Sequence, residues 1–320
     1  MPTPSEPFVT AGVEPLPDCE SSARSVFGNY QATGKGIDSD EASADAATST
    51  PRRRGTAAPP TLQHGIDEGM ARSFLYRYLA QVFDYPDADV WGWINEPATI
   101  QALRLSAAAL AGTGEGVSLT TRVETTLSSL CSHGFERFQD DHVAAFGHGA
   151  RGSCPINEIE YGDLKADPLF QPHRLADLGA FYRAFGLVVS DGGERHDHVA
   201  VELEFMAVLT LREAHALEHQ LGHDEWLLNR EAAISFMHDH IGRWTPAFSR
   251  RVARALPDSP MRACADLLLA AIENDCRRLE LTPGSEDLLL RPVDAVAESM
   301  CSGCGLDQTP PGGDTVTNDR

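Results

Sequence analysis

The chain has 320 residues, a formal net charge of −21 and a pI near 4.8. This length is enough to bury a sizeable core. So acidic a chain excludes nucleic acid as a partner, because phosphate binding relies on clustered Lys and Arg side chains. A basic or mixed-charge partner would instead be attracted at long range.

The first 62 residues are predicted to be a disordered tail. Residues 1–62 hold eight of the 20 prolines and few aromatic or β-branched residues, so they bury too little apolar surface to offset the entropy of ordering. The run Arg52-Arg53-Arg54 is followed by Gly-Thr-Ala-Ala-Pro-Pro rather than by an apolar segment and a cleavage site, which argues against an export signal. No run approaches the roughly 20 apolar residues of a membrane span. These features predict a cytoplasmic protein.

From residue 63 onward the pattern is helical. Apolar residues recur at three- and four-residue spacing, first in a stripe from Ala71 to Phe83 that ends before Pro86. Similar patterns predict helices near 87–95, 98–111, 118–146, 172–186, 197–220, 224–242, 246–255 and 259–280. No stretch shows sustained two-residue alternation. The sequence therefore predicts an all-α fold, a single multi-helix domain over 63–300, followed by a flexible C-terminal tail over 301–320.

One predicted connection, at about 147–172, is longer than a compact bundle normally uses. It contains Cys-Pro-Ile-Asn-Glu-Ile-Glu-Tyr-Gly over 154–162. An ordinary surface loop anchored by Tyr161 would explain this run, but long ordered loops in helical domains more often carry function. Cys154 is a poor candidate nucleophile, because it precedes Pro155 and no activating histidine is evident.

The second informative stretch is Asp-His-Val-Ala-Val-Glu-Leu-Glu-Phe-Met over 197–206. Asp197 follows a turn-rich segment and is predicted to be the N-cap of a helix, with Glu202 and Glu204 near the positive end of the helix dipole. Glu202 and Glu204 lie about 200° apart on that helix, so they cannot form an acid/base dyad. His198 shares a face with Glu202, which capping by Asp197 does not explain.

A different hypothesis is a metal-binding helical-bundle protein. His215, His219 and His223 recur at four-residue steps, and two histidines at i and i+4 can chelate a metal from one helical face. Di-iron bundles, however, use Glu-x-x-His, whereas this region offers Glu213-Ala-His215 and Glu218-His219. A structural subunit that never occurs free of a larger complex is a third hypothesis.

Taken together, the two stretches resemble the TorD/DmsD/NarJ-like family of maturation chaperones for molybdenum redox enzymes. That family combines a Pro-x-x-Glu-x-x-Tyr loop with an Asp-His-x-x-x-Glu-Leu-x-Phe-Met helix start in a helical domain, and the resemblance covers about 68–280. The loop looks most like that of accessory subunits encoded with enzymes for ethylbenzene, dimethyl sulfide, selenate or chlorate. The chain departs from the pattern in two places. His196 stands where many relatives have proline. The long N-terminal tail and the lone Cys301-x-x-Cys304 pair, which supplies only half of a zinc or iron–sulfur site, are not part of the pattern, and the resemblance assigns them no role.

The resemblance implies a cytoplasmic, non-enzymatic chaperone with no cofactor of its own. Its partner would be a molybdoenzyme catalytic subunit, bound through its twin-arginine signal peptide and its body until the molybdenum cofactor is inserted. The client-binding residues that the resemblance implies are Pro155, Glu158, Tyr161, Asp197, His198, Glu202, Phe205 and Met206. Their acids are expected to supply negative charge, and their aromatic and methionine side chains to wall an apolar groove.

Overall fold

The computed structural model describes residues 61–111, 118–147, 154–162, 170–189 and 194–291. The α-helices within these residues are α1 (Leu62–Phe83), α2 (Ala88–Ile94), α3 (Pro97–Ala109), α4 (Leu119–Phe146), α5 (Phe170–Ala184), α6 (Val199–Glu218), α7 (His223–Asp239), α8 (Ile241–Ala255) and α9 (Pro260–Arg278). Across these ranges there is no β-strand, only two antiparallel bridges, Asn157 with His198 and Tyr161 with Leu290. The predicted all-α fold is confirmed.

The predicted tails lie largely outside the described residues. This holds for residues 1–60 and for 301–320, which include the cysteine pair, whereas Leu62 already begins α1. Of the long predicted connection, the structure describes residue 147, residues 154–162 and residues 170–172, the last of which already belong to α5. Within 154–162, Glu158–Glu160 forms a single 3₁₀ turn. None of the described helices combines the length and the apolar character needed to cross a membrane.

The centre of the fold is the pair α1 and α6, which pack along each other. Gly69 allows this close approach, because a Cβ atom added there would lie 2.9 Å from the Cβ atom of Ala214 and 3.0 Å from the backbone oxygen of Thr210. Helices α4 and α8 pack on α9, and α7 packs on α6 and α8. One continuous apolar core joins these layers.

The largest difference from the predicted helices is at the start of α8, predicted at residue 246 but observed at Ile241. Pro246 lies inside the helix and has no N–H group to donate to the carbonyl of Gly242 four residues earlier. That carbonyl instead accepts a hydrogen bond from the backbone N–H of Gly284, at 2.9 Å. A contact distant in sequence therefore compensates for the proline.

A buried ion-pair network links α1, α6, α7 and α9. Arg72, only 2% exposed, donates from Nε and Nη2 to both oxygens of Asp275, at 2.7 and 2.9 Å, and from Nη1 to Glu213, at 3.0 Å. Tyr76 donates its hydroxyl to Asp275 at 2.6 Å, and Arg230 approaches Glu213 at 3.5 Å. Each buried charge thus has an opposite charge beside it, which is the condition for burying ions.

Arg72→Met is expected to lower the free energy of unfolding by about 3–5 kcal/mol, because it leaves two buried carboxylates without their main cation. Urea unfolding followed by circular dichroism measures this change. Arg104→Met is the matched control, because Arg104 forms a similar fork with Glu124 in solvent, where such a pair contributes little. Equal effects of the two substitutions would contradict the assignment of the network.

Candidate functional site

The two stretches that the sequence singles out lie against each other. The backbone N–H of Glu158 donates to the carbonyl of Asp197 at 2.8 Å, and that of Val199 donates to the carbonyl of Ile156 at 3.1 Å. The N–H of Ile159 also donates to the Asp197 carboxylate at 3.2 Å. The loop 154–162 and the start of α6 therefore form one hydrogen-bonded unit.

The N-cap of α6 is His198, so the prediction that Asp197 caps this helix is wrong. Nδ1 of His198 accepts a hydrogen bond from the N–H of Ala200 at 3.3 Å. The proton of the neutral ring is therefore on Nε2, which lies 3.9 Å from Oε2 of Glu194. Burial lowers the pKa of His198 to about 3, so the ring is neutral at physiological pH. Asp197 is unavailable as a cap because its carboxylate bonds to the loop and to Arg195.

Asp197 forms a two-pronged ion pair with Arg195. The guanidinium Nε and Nη2 atoms donate to the two carboxylate oxygens at 2.8 and 2.7 Å. The Asp197 side chain is fully buried, whereas that of Arg195 is 46% exposed. The negative charge is thus inside the protein, and its partner is at the surface.

Glu158 is the most heavily paired carboxylate of the site. Its Oε1 atom accepts from Arg174 at 2.6 Å and Arg243 at 3.0 Å, and its Oε2 atom lies 3.1 Å from His240 Nδ1. Burial alone would raise the pKa of Glu158, but the hydrogen bond and charge of His240 and the charge of Arg174 outweigh burial and lower this pKa to about 2. Glu158 is therefore an anion enclosed by cations.

The pKa of Glu202 is shifted in the opposite direction from that of Glu158. It is fully buried, and its Oε2 atom accepts a hydrogen bond from the indole N–H of Trp244 at 3.0 Å. Burial raises the pKa of Glu202 well above its ordinary value, and the nearby charges of Glu158 and Asp197 raise it further. Burial and these two charges thus favour the neutral form of the Glu202 carboxyl, which opposes the expectation that Glu202 supplies negative charge.

The apolar residues of the predicted site belong to the core. Tyr161, Phe205 and Met206 are fully buried, and the Tyr161 hydroxyl donates to the carbonyl of Pro155, itself buried, at 2.7 Å. Phe205 lies in an aromatic cluster between α5, α6 and α7. They do not wall an open groove as expected; they fix the positions of the loop and of α6.

The site also contains basic residues that the sequence analysis missed. Arg174 comes from α5, Arg243 from α8, and His240 immediately precedes α8. No local pattern identifies these residues. The one available signal was indirect, since a short run of acids in apolar surroundings requires partners elsewhere in the chain.

The sequence analysis also missed the segment 284–291, here named the strap. The strap follows α9 in the chain, and it contacts α8 at its first residue and the loop 154–162 at its last residues. The N–H of Gly162 donates to the carbonyl of Leu289 at 2.8 Å, and the N–H of Arg291 donates to the carbonyl of Glu160 at 2.9 Å. The Arg291 guanidinium lies 3.8 Å from the Glu160 carboxylate. The strap thus covers the edge of the loop.

The histidines of the metal hypothesis do not converge on one point. The rings of His215 and His219 stack at 4.1 Å near the end of α6, whereas His223 begins α7 and its ring lies 5.5 Å from that of Trp226. Within the described ranges no group of three or more His, Cys, Asp or Glu side chains is arranged to hold a metal ion.

The chain is similar to proteins that are named as assembly chaperones. A family model described as the nitrate reductase delta subunit matches residues 116–250. The chain is 29% identical over 188 residues to the selenate reductase assembly chaperone protein of Thauera selenatis, covering 58% of this chain and 79% of that protein. It is 28% identical to the perchlorate reductase assembly chaperone protein of Dechloromonas aromatica (strain RCB), covering 57% and 77%. It is 30% identical to the dimethyl sulfide dehydrogenase assembly chaperone protein of Rhodovulum sulfidophilum, covering 51% and 62%.

Glu202→Gln is expected to stabilise the protein increasingly as pH rises above 4.5. The unfolded chain ionises Glu202 above that pH but the folded protein does not, so the wild type loses stability that the neutral glutamine keeps. The difference in unfolding free energy between the variant and the wild type should grow by about 1.4 kcal/mol per pH unit until the carboxyl ionises in the folded protein. Urea unfolding at several pH values measures it. The two curves should coincide below pH 4.5, and a constant offset at all pH values would contradict a neutral Glu202.

Glu158→Gln is expected to have the opposite effect. Because its pKa in the folded protein is about 2, the Glu158 carboxylate stabilises the fold above pH 4.5, and this stabilisation is lost as pH falls from 4.5 towards 2. At pH 7 the substitution should lower the free energy of unfolding by about 3 kcal/mol. The same unfolding series serves as the measurement, with Glu202→Gln as its matched control, since both substitutions replace a buried glutamate by its neutral isostere.

Proposed function

We propose that the chain is an assembly chaperone of the TorD/DmsD/NarJ-like family and that it binds the catalytic subunit of a molybdenum-containing redox enzyme during assembly. Its similarity to the nitrate reductase delta subunit model and to proteins named as assembly chaperones supports this proposal. The relatives are named as assembly chaperones, so the protein assists in maturation and is not itself an enzyme. We place its action in the cytoplasm, before the molybdenum cofactor is inserted and the client is exported.

The proposed recognition element of the client is its twin-arginine signal peptide. The observation that carries this proposal is the joining of the loop 154–162 to the start of α6 through Asp197, whose buried carboxylate is paired with a half-exposed arginine. The net charge of −21 adds a long-range attraction for a cationic peptide. An apolar segment of the peptide, and the body of the client, would extend the contact beyond this corner.

In this proposal the buried residues of the site do not contact the client but hold the loop and α6 in position. Pro155, Tyr161, Phe205 and Met206 have this role, His198 caps the helix, and Glu202 accepts a hydrogen bond from Trp244.

The charged residues of the site determine which ligand it binds. Glu158 and Asp197 already bind arginines of the chain itself, namely Arg174, Arg243 and Arg195. An arginine of the client would therefore bind by exchange, taking the place of a chain arginine at the surface. Arg195, with its side chain 46% exposed, is the cation best placed to yield. Exchange of one guanidinium fork for another preserves the geometry of the carboxylate pair.

Asp197→Asn is expected to weaken binding of a twin-arginine peptide by about tenfold or more, because it removes the charge that the peptide arginine would share while keeping an oxygen for the Ile159 N–H group. Isothermal titration calorimetry of the full chain with a synthetic signal peptide measures the affinity. A peptide with both arginines replaced by lysine should bind weakly to the wild type, because lysine lacks the planar fork.

Asp266→Asn is the matched control for this experiment, since Asp266 of α9 pairs with Arg122 of α4 and contributes nothing to the loop. Circular dichroism should report the same helix content for both variants. Equal peptide affinity of Asp197→Asn and the wild type would remove Asp197 from the site. Failure of the wild type to bind the peptide, with retention of the catalytic subunit in a pull-down, would assign recognition to the body of the client.

A further inference from the structure

The strap pairs with the loop as a short antiparallel β-ladder. Its two hydrogen bonds, from Gly162 to Leu289 and from Arg291 to Glu160, flank the opposed residues Tyr161 and Leu290. This is the arrangement of a non-hydrogen-bonded pair, in which the two opposed side chains approach most closely. The strap therefore presents an apolar side chain to Tyr161 and an arginine to Glu160.

The strap is attached weakly compared with the loop beneath it. All eight of its residues are described, none is buried, and Leu289 is 64% exposed, while Leu288 and Leu290 are only partly buried against the core. Its acids Glu286 and Asp287 meet Arg250 at 3.6 and 3.1 Å, but these are surface ion pairs, which contribute little. Segments with few buried contacts open at low free energy while the core stays folded.

One end of the strap is fixed more firmly. Gly284 donates to the carbonyl of Gly242, which is available because Pro246 has no N–H group. A Cβ atom on Gly284 would overlap the backbone of Arg243, so the chain passes close against α8 at this point. Residues 285–291 can thus leave the loop while position 284 stays anchored.

We propose that the strap occupies the binding edge for an extended, arginine-bearing segment of the client, and that the client binds by displacing residues 285–291. This inference rests on the proposed function and adds the mode of recognition. Without the strap, the N–H of Gly162 and the carbonyl of Glu160 lose their partners, and an exposed edge of this kind accepts an extended peptide as an added strand.

The strap itself indicates the chemistry of that segment. Leu290 and Arg291 show that the edge accommodates an apolar side chain opposite Tyr161 with an arginine next to it, near the Glu160 carboxylate. The incoming arginine would take the place of Arg291 beside the Glu160 carboxylate. The strap thus protects the edge from unspecific pairing until a client of this chemistry arrives.

Hydrogen exchange tests this inference in the full-length wild type. Adding the synthetic twin-arginine peptide should speed exchange of the Arg291 amide, whose acceptor is taken by the peptide. The Gly162 amide should stay protected, because the peptide replaces Leu289 as its acceptor. If the Arg291 amide keeps its protection while calorimetry shows bound peptide, the strap does not move and the inference is wrong, although the proposed function stands.

A pair of adjacent substitutions supplies the second test. Leu290→Ser weakens the contact with Tyr161 and should raise the affinity for the peptide by up to about tenfold, because a strap that is less often closed competes less. Leu289→Ser removes an equal side chain from the exposed face and should leave the affinity unchanged. Equal affinities of the two variants would show that the strap does not compete with the peptide.

Two further outcomes are distinguishable. If neither the wild type nor Leu290→Ser binds the peptide, then peptide recognition itself fails, and this inference fails with it. If the wild type without peptide forms dimers whose population rises with concentration, and Leu290→Ser abolishes them, then the edge pairs with a second copy of the chain and the client is not its occupant.

Discussion

The site depends on the burial of one carboxylate, that of Glu158. A buried anion is stable only when cations and hydrogen-bond donors surround it, and here they come from separate parts of the chain. Glu158 pairs with Arg174 of α5, with Arg243 of α8, and with His240 at the junction between α7 and α8. The position of the loop is therefore set by electrostatics that reach across the fold, in addition to its hydrogen bonds with the start of α6.

The same ionised groups act on Glu202. Burial raises the pKa of Glu202, and the charges of Glu158 and Asp197 raise it further, although the charge of Arg174 opposes them. One oxygen of the carboxyl accepts a hydrogen bond from the Trp244 indole. The pKa values of two glutamates on neighbouring elements thus move in opposite directions, because Glu158 is paired with the nearby cations.

Much of the fold was predictable from the sequence, because helix periodicity is a local property. The site was predictable only in part. Both stretches stood out in the sequence, but two of the partners of Glu158, His240 and Arg243, lie 82 and 85 residues away. Periodicity carries no information on such contacts. The cap of α6 was assigned to Asp197 on local preference, and tertiary bonds of that carboxylate overrode this preference. The strap had no sequence signature at all.

A site whose carboxylates are already paired differs in selectivity from an exposed acidic patch. An exposed patch attracts any cation, and the attraction is screened by salt. In the proposed exchange, charge attracts a cationic ligand but is not sufficient for binding, because the ligand has to replace a guanidinium whose fork already fits Asp197. Lysine offers a single ammonium group and cannot reproduce that geometry. Under this proposal the arginines of the chain exclude other cations from the site, because only a guanidinium group can form the same two hydrogen bonds.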